Sequence, residues 1–399
     1  MDLFRYRLRV LPPLSHTHID DRTIFIPALQ CALDSEVISS GSFYSTLFLF
    51  LIILITLMGC ASAPGSPAPT EILGATTANN FVYVLGIGFN NCMISYAKIN
   101  LDGSLGLWQN PSCNNISNIL GNAGVIYDGI TGFYTNFSQS YLYVLNMGSL
   151  NYNTPIYTLL NQDGSVGQFS TTTSFSTGFR LTDNTYFTQG TLRIGFTSLM
   201  ANGYAYIIGG MYVFSFDEPP FLYAPINSDG SIGTWISTSS MDCPLCYNAF
   251  PVVYNNRIYI FQNAQSYVYT DINPDGSLAG WNFSTIANTL SGFTATGSIV
   301  LYNKYIYSIG SNTFSVSSRH DCSNSNKIMY IPIYSDGSLG TWQSTTTMNV
   351  SRCDPEVVAY NGYIYAIDGA QTGNNNSVEY APINPAGSLG KWQFTTSLQ

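Results

Sequence analysis

From residue 70 onward, apolar and polar positions alternate in short runs that recur in a fixed order. Val82-Tyr-Val-Leu, Leu142-Tyr-Val-Leu, Ala205-Tyr-Ile-Ile, Ile258-Tyr-Ile-Phe, Ile306-Tyr-Ser-Ile and Ile364-Tyr-Ala-Ile are short and rich in β-branched and aromatic residues. Such runs predict strands rather than helices. An inner strand precedes each and ends in a turn dipeptide, as in Pro251-Val-Val-Tyr-Asn-Asn256 and Val357-Val-Ala-Tyr-Asn-Gly362. Asn-Asn, Asn-Lys and Asn-Gly at that point predict tight hairpins. A third alternating strand follows, such as Phe221-Leu-Tyr-Ala-Pro-Ile-Asn or Val378-Glu-Tyr-Ala-Pro-Ile-Asn.

The third strand runs into the phrase Asp-Gly-Ser-x-Gly-x-Trp, and a fourth strand leaves it. The phrase begins at Asp102, Asp163, Asp229, Asp275, Asp336 and, with Ala for Asp, Ala386. Phe169 replaces the Trp once, and Ala279-Gly280 shifts one glycine. All five tryptophans of the chain occupy this slot. The spacing, 46 to 66 residues between phrases, predicts six units of four antiparallel strands, an all-β six-bladed β-propeller over residues 70–399. The first strand is expected near 71–77 and the last near 391–395, so that the ring closes without a strand shared between the termini. In the phrase, the Asp is expected to cap a turn, the glycines to take φ > 0 and the Trp to pack between blades.

This order of hydrophobic strand, turn, Tyr-x-Ile-Gly-Gly and a later Trp resembles kelch repeats. The glycine doublet is complete only at Gly209-Gly210, so the repeats are divergent. The resemblance implies the fold of the galactose-oxidase-type central domain. The Asp-Gly-Ser phrase is also similar to the Asp-box of sialidase-type propellers, with one residue more between Asp and Trp, and its role here is structural.

Upstream, Phe43 to Met58 is a sixteen-residue, uncharged, largely apolar run. It is short for a membrane span and suits a secretory signal. Leu57-Met58-Gly59-Cys60 followed by a Pro/Ser/Ala stretch resembles the lipobox of bacterial lipoproteins, which implies lipidation of Cys60. Residues 1–59 are then a leader or anchor, 60–69 a tether and 70–399 the propeller. An uncleaved anchor and a signal cleaved elsewhere stay open. Each places the propeller outside the cytoplasm, at the outer membrane, the cell surface or in the periplasm.

Composition narrows the partners. Charged residues make up 9% of the 399, against about 25% in average proteins. Four of 13 basic and five of 22 acidic residues precede residue 60, leaving 9 and 17 and a net charge near -8. That balance speaks against nucleic acid and anionic lipid as partners. Only His320 remains downstream of the leader, since His16 and His18 lie within it. A two-histidine copper site, a multi-histidine zinc site and a Ser-His-Asp triad are therefore not expected, and no metal or cofactor is predicted.

Beyond Cys31 and Cys60, six cysteines remain. An even number in an exported domain suggests disulfides. Strand order places Cys92 and Cys113, and likewise Cys322 and Cys353, in neighbouring connections on one face, so 92–113, 322–353 and 243–246 are the expected pairs. Cys243-Pro-Leu-Cys246 also has the spacing of a redox motif or half a zinc site.

The densest charged cluster is Arg319-His320-Asp321-Cys322 together with Arg352-Cys353-Asp354 and Glu356, in connections expected at the junction of blades 5 and 6. Arg180 and Asp242 occupy equivalent connections elsewhere. These eight are the ligand-binding candidates, because loops at a propeller mouth bind ligands and arginines grip carboxylates. Salt bridges trimming the loop ends are the competing reading. The function expected is a protein- or glycan-binding module. The alternatives are a carbohydrate-active enzyme of sialic-acid mutarotase or lyase type, using Arg319, His320, Arg352 and Glu356, and a repetitive adhesive or structural surface protein. Sequons at Asn115, Asn136, Asn282, Asn349 and Asn375 matter only in a eukaryotic secretory pathway.

Overall fold

A computed structural model describes residues 71–87, 94–109, 131–136, 139–145, 154–175, 193–212, 221–239, 251–261, 264–287, 297–310, 325–353, 355–369 and 376–398. All belong to one compact unit, Pro67–Gln399. The leader, Cys60 and most of the predicted loop residues lie outside the described residues.

The strands fall into six antiparallel sheets in chain order. Blade 1 holds β1 (Glu71–Ala78), β2 (Phe81–Ile87) and β3 (Ile94–Lys98); blade 2 holds β4 (Thr131–Asn136), β5 (Gln139–Val144), β6 (Ile156–Leu160) and β7 (Ser170–Thr171). Blade 3 is β8 (Arg193–Ala201), β9 (Tyr204–Tyr212), β10 (Leu222–Pro225) and β11 (Ile236–Ser237). Blade 4 is β12 (Pro251–Tyr254), β13 (Arg257–Phe261), β14 (Ser266–Asp271) and β15 (Asn282–Thr285). Blade 5 is β16 (Ser298–Tyr302), β17 (Tyr305–Ile309), β18 (Ile328–Pro332) and β19 (Gln343–Ser344). Blade 6 is β20 (Glu356–Tyr360), β21 (Tyr363–Ile367), β22 (Val378–Pro382) and β23 (Gln393–Thr395). In blade 1, Gln109 pairs with Tyr96 in a single bridge where the other blades place their fourth strand. The molecule is a six-bladed β-propeller, as the repeat predicts.

The core lies between blades. One cluster joins Tyr83 and Leu85 of blade 1 to Leu142 and Val144 of blade 2. Another joins Tyr365 and Ile367 of blade 6 to Val82, Val84 and Trp108 of blade 1. The two blades that meet there come from opposite ends of the sequence, and each is built from one continuous stretch.

Two faces result. The hairpins between inner strands are two-residue turns, with left-handed Asn79-Asn80, Asn202-Gly203, Asn255-Asn256 and Asn361-Gly362. Together with the Asp-Gly-Ser turns they form a uniform turn face. The first residue of the inner strand pairs with the last of the next, as Glu356 does with Ile367, so the remaining connections all open on the opposite, loop face.

The turn phrase works as expected in part. Asp102 Oδ1 accepts from the Ser104 amide at 3.0 Å and its hydroxyl at 2.7 Å, and Asp163, Asp229, Asp275 and Asp336 repeat this. Those two bonds hold each carboxyl below the usual carboxylate range, the Ser hydroxyl contributing most. Ala386 is tolerated because Asn384 Nδ2 still donates to Ser388 Oγ at 3.0 Å and the backbone turn remains closed. The expectation that both glycines take φ > 0 holds only for the first, such as Gly103 at φ 83°. In blades 3, 5 and 6 the second is required for space: a Cβ on Gly233, Gly340 or Gly390 would meet a proline ring at 2.7 to 2.9 Å.

Candidate functional site

The site expected at the junction of blades 5 and 6 is only partly described. Arg180, Asp242, Arg319, His320, Asp321 and Asp354 lie outside the described residues, as do all cysteines except Cys353. Cys353 is disulfide-bonded. Arg352 and Glu356 are placed, Arg352 in the loop-face connection between β19 and β20 and Glu356 at the first residue of β20.

That segment is clamped from both sides. Strand β17 is followed by Gly310, where a Cβ would meet the Arg352 carbonyl at 2.7 Å. Strand β21 is followed by Gly369, at φ 70°, where a Cβ would meet the Cys353 carbonyl and Pro355 at 2.5 Å. Only glycine lets the connection cross so closely. The Ser298 hydroxyl donates to the Pro355 carbonyl at 2.6 Å and fixes its far end. Gly310 and Gly369, which follow the Tyr-x-Ile strands of blades 5 and 6, therefore position this connection.

Arg352 does not face solvent. Its residue exposure is 0%, and its guanidinium reaches inward to blade 6. Nη1 donates to the carbonyls of Asp368 (2.6 Å) and Ser377 (3.1 Å). Nη2 donates to Ser377 Oγ (2.8 Å) and Glu379 Oε1 (3.1 Å), and Nε completes the pair with Glu379 at 3.4 Å. The other oxygen of Glu379 accepts from the Asn349 backbone (2.8 Å) and Nδ2 (2.7 Å). Burial pulls the Arg352 pKa down and Glu379 opposes it. Burial also raises the Asp368 carboxyl, against a bond from the Gly369 amide.

The reading of Arg352 as a ligand grip is thereby corrected. With no exposed atom and its donors engaged, it is a strut joining two loop-face connections, and the competing salt-bridge reading describes it. Sequence reasoning missed its partner Glu379. The signal was a carboxylate at the strand position before the repeated third-strand Tyr, where other blades carry Ser95, Ile156, Leu222, Val268 or Met329. Glu356 begins β20 and is partly exposed.

A second arrangement runs round the ring on the turn face. The second-strand tyrosine of every blade donates its hydroxyl to the turn glycine of the next blade. The pairs are Tyr83 to Gly164 (3.0 Å), Tyr143 to Gly230 (2.6 Å), Tyr206 to Gly276 (2.8 Å), Tyr259 to Gly337 (2.8 Å) and Tyr307 to Gly387 (2.8 Å). Tyr365 to Gly103 (2.8 Å) closes the circle. Each tyrosine also lies against its cross-strand neighbour in the third strand, as Tyr365 does on Tyr380 at 6.0 Å and 17°. The tryptophans bridge blades as well: Trp108 Nε1 donates to Thr396 O, Trp235 to Thr173 O and Trp342 to Ala264 O. These repeated side chains are structural.

No protein-family model matches the chain, and no curated protein does. Solved structures do. The structure of YjhT covers 83% of this chain and 99% of its own, at 14% identity and a TM-score of 0.52. A Lactobacillus plantarum protein aligns over 86% of this chain and 90% of its own, at 11% identity and a TM-score of 0.45. A fungal alcohol oxidase of the AA5 family, in complex with copper, covers 85% of this chain and 66% of its own, at 12% identity and a TM-score of 0.43. The six sheets and the likeness to YjhT together show a six-bladed β-propeller fold.

Proposed function

We propose that this chain is an extracytoplasmic, membrane-tethered propeller that binds a protein or glycan ligand through its loop face. The contrast between the two faces carries the proposal. Every inner hairpin on the turn face has two residues. On the loop face, the connections within blades run from residues 262–265 in blade 4 to 310–327 in blade 5, and those between blades reach 172–192. A rigid scaffold presenting loops of varied length and sequence is the usual architecture of recognition. Arg180, Asp242, the Arg319–Asp321 run and Asp354 fall in these connections by chain position, together with Asp128, Asp183, Asp217, Glu218 and Lys327.

The carbohydrate-active alternative needs an acid, a base and a grip for a carboxylate. Arg352, one of its four residues, is buried against Glu379 and has no surface to offer. The tether follows from the Phe43–Met58 run and Cys60. C60S is expected to move the protein from the membrane to the soluble fraction, and its retention in the membrane would favour an uncleaved anchor.

Screening the purified full chain against a glycan array and against surface-protein extracts tests the binding proposal. Capture that is lost in the R319A/H320A variant, with the fold intact by circular dichroism, is the expected result. Capture that survives the double substitution would remove the loop cluster from the site.

A further inference from the structure

A groove of about 700 Å³ opens on the turn face between blades 1 and 2. Asn80, Tyr96, Lys98 and Gln109 line it from blade 1, and Gln162 and Asp163 from blade 2. It opens at one of the three blades whose third strand lacks a covering proline. In blades 3, 5 and 6 the third strand ends in Pro225, Pro332 and Pro382, and each ring covers the second turn glycine, Cγ lying 2.7 to 2.9 Å from where a Cβ would be. Blade 1 has Lys98 in the proline position; its Cβ stands 3.8 Å from the equivalent point on Gly106, and its side chain is exposed. The turn adds a second departure: Leu107, on the rim, is 71% exposed, where the other blades place Gln168, Thr234, Gly280, Thr341 or Lys391. Blades 2 and 4 also lack the proline, with Leu159 and Asp271 in its place, and Asp271 is engaged by Arg257 at 2.6 Å.

The geometry points to a binding site for a neutral oligosaccharide in the groove between blades 1 and 2. Carboxamides dominate its polar lining, and each donates and accepts at once, as sugar hydroxyls do. One ammonium and one carboxylate balance, which favours an uncharged ligand over an anion. Tyr96 is held rigid by stacking on Tyr83 (5.9 Å, 29°) and by the edge of Phe81 (5.9 Å, 70°), and so offers a fixed aromatic surface to the apolar face of a pyranose. The volume lies within the roughly 300–1,000 Å³ of small-molecule sites. This site is on the face opposite the loop cluster and is independent of it.

The test uses the full chain in detergent with maltotriose, cellotriose and chitotriose as neutral probes and sialyllactose as the charged one, read by titration calorimetry. At least one neutral trisaccharide is expected to bind, with sialyllactose weaker. K98P, which introduces the proline that blades 3, 5 and 6 carry, and Q109A are each expected to weaken binding at least tenfold without lowering the unfolding midpoint. R319A/H320A, on the other face, is expected to leave it unchanged. Failure of all three neutral probes, or binding unaffected by K98P, would overturn the site. Loss in R319A/H320A but not in K98P would move the sugar to the loop face, which sinks this inference and supports the other.

Discussion

The hydroxyl of Tyr365, in the last blade, donates to the carbonyl oxygen of Gly103, in the first, at 2.8 Å. The same bond recurs at five other junctions, but here it spans almost the whole sequence and helps seal the ring. Leu105 N to Thr395 Oγ1 (2.7 Å) and Thr396 Oγ1 to Leu105 O (2.8 Å) flank it.

Removing one hydroxyl leaves the Gly103 carbonyl buried without that donor. Y365F is expected to cost about 1–2 kcal/mol. Differential scanning calorimetry should show a midpoint lower by roughly 2–4 °C. An unchanged midpoint would mean the closing bond contributes nothing.

Two glycines with the same backbone conformation should respond differently to alanine. Gly362 has φ 84° and open space around a Cβ, so G362A is expected to cost only the left-handed penalty, about 1–2 kcal/mol. Gly103 has φ 83°, but a Cβ there would lie 2.4 Å from the Tyr363 ring. Displacing that ring should add about 1–3 kcal/mol. Equal denaturation midpoints for the two variants would refute the packing assigned to the turn.

The Arg352–Glu379 pair should show strong coupling. R352M strands a fully buried carboxylate and is expected to cost about 3–5 kcal/mol, whereas R352M/E379L should recover most of the loss. A double-mutant cycle with additive effects would show that the two do not act as a strut.

Stability should fall at both ends of the pH scale. The turn aspartates have depressed pKa values in the folded state. Their contribution is present above the unfolded value of about 3.9 and is lost as pH falls through the folded values. The ring tyrosines are raised, chiefly by burial. Tyr259 is pushed up to about 12, with Arg257 beside it opposing the rise. Their contribution is complete below about pH 10 and is lost as pH rises through the folded values. Ultraviolet titration should show these phenols ionising only with unfolding; ionisation near pH 10 in the folded protein would contradict their burial.

Blade number, strand order and closure were legible in the sequence because the repeat places Tyr, Asn, Gly and Trp at positions the propeller needs six times over. The tight hairpins at Asn255-Asn256 and Asn361-Gly362 follow from local chemistry alone. The second turn glycine was misread because in blades 3, 5 and 6 its demand is spatial and comes from the proline that ends the third strand. Arg352 was misread because chain position gives its loop but not the direction of a long side chain, and the buried acceptor that turns it inward sits 27 residues away. The groove at Lys98 is visible only once the prolines of blades 3, 5 and 6 are seen covering their glycines.

The central claim is that the loop face binds the ligand captured in the screen while the repeated turns of the opposite face hold the ring together. Hydrogen–deuterium exchange of the full chain, with and without the ligand captured in the screen, tests this most directly. The account predicts added protection in the connections 311–324 and 352–356 and none in the Asp-Gly-Ser turns at Asp229, Asp275 and Asp336. Protection confined to those turns, with the loop connections unchanged, would contradict it.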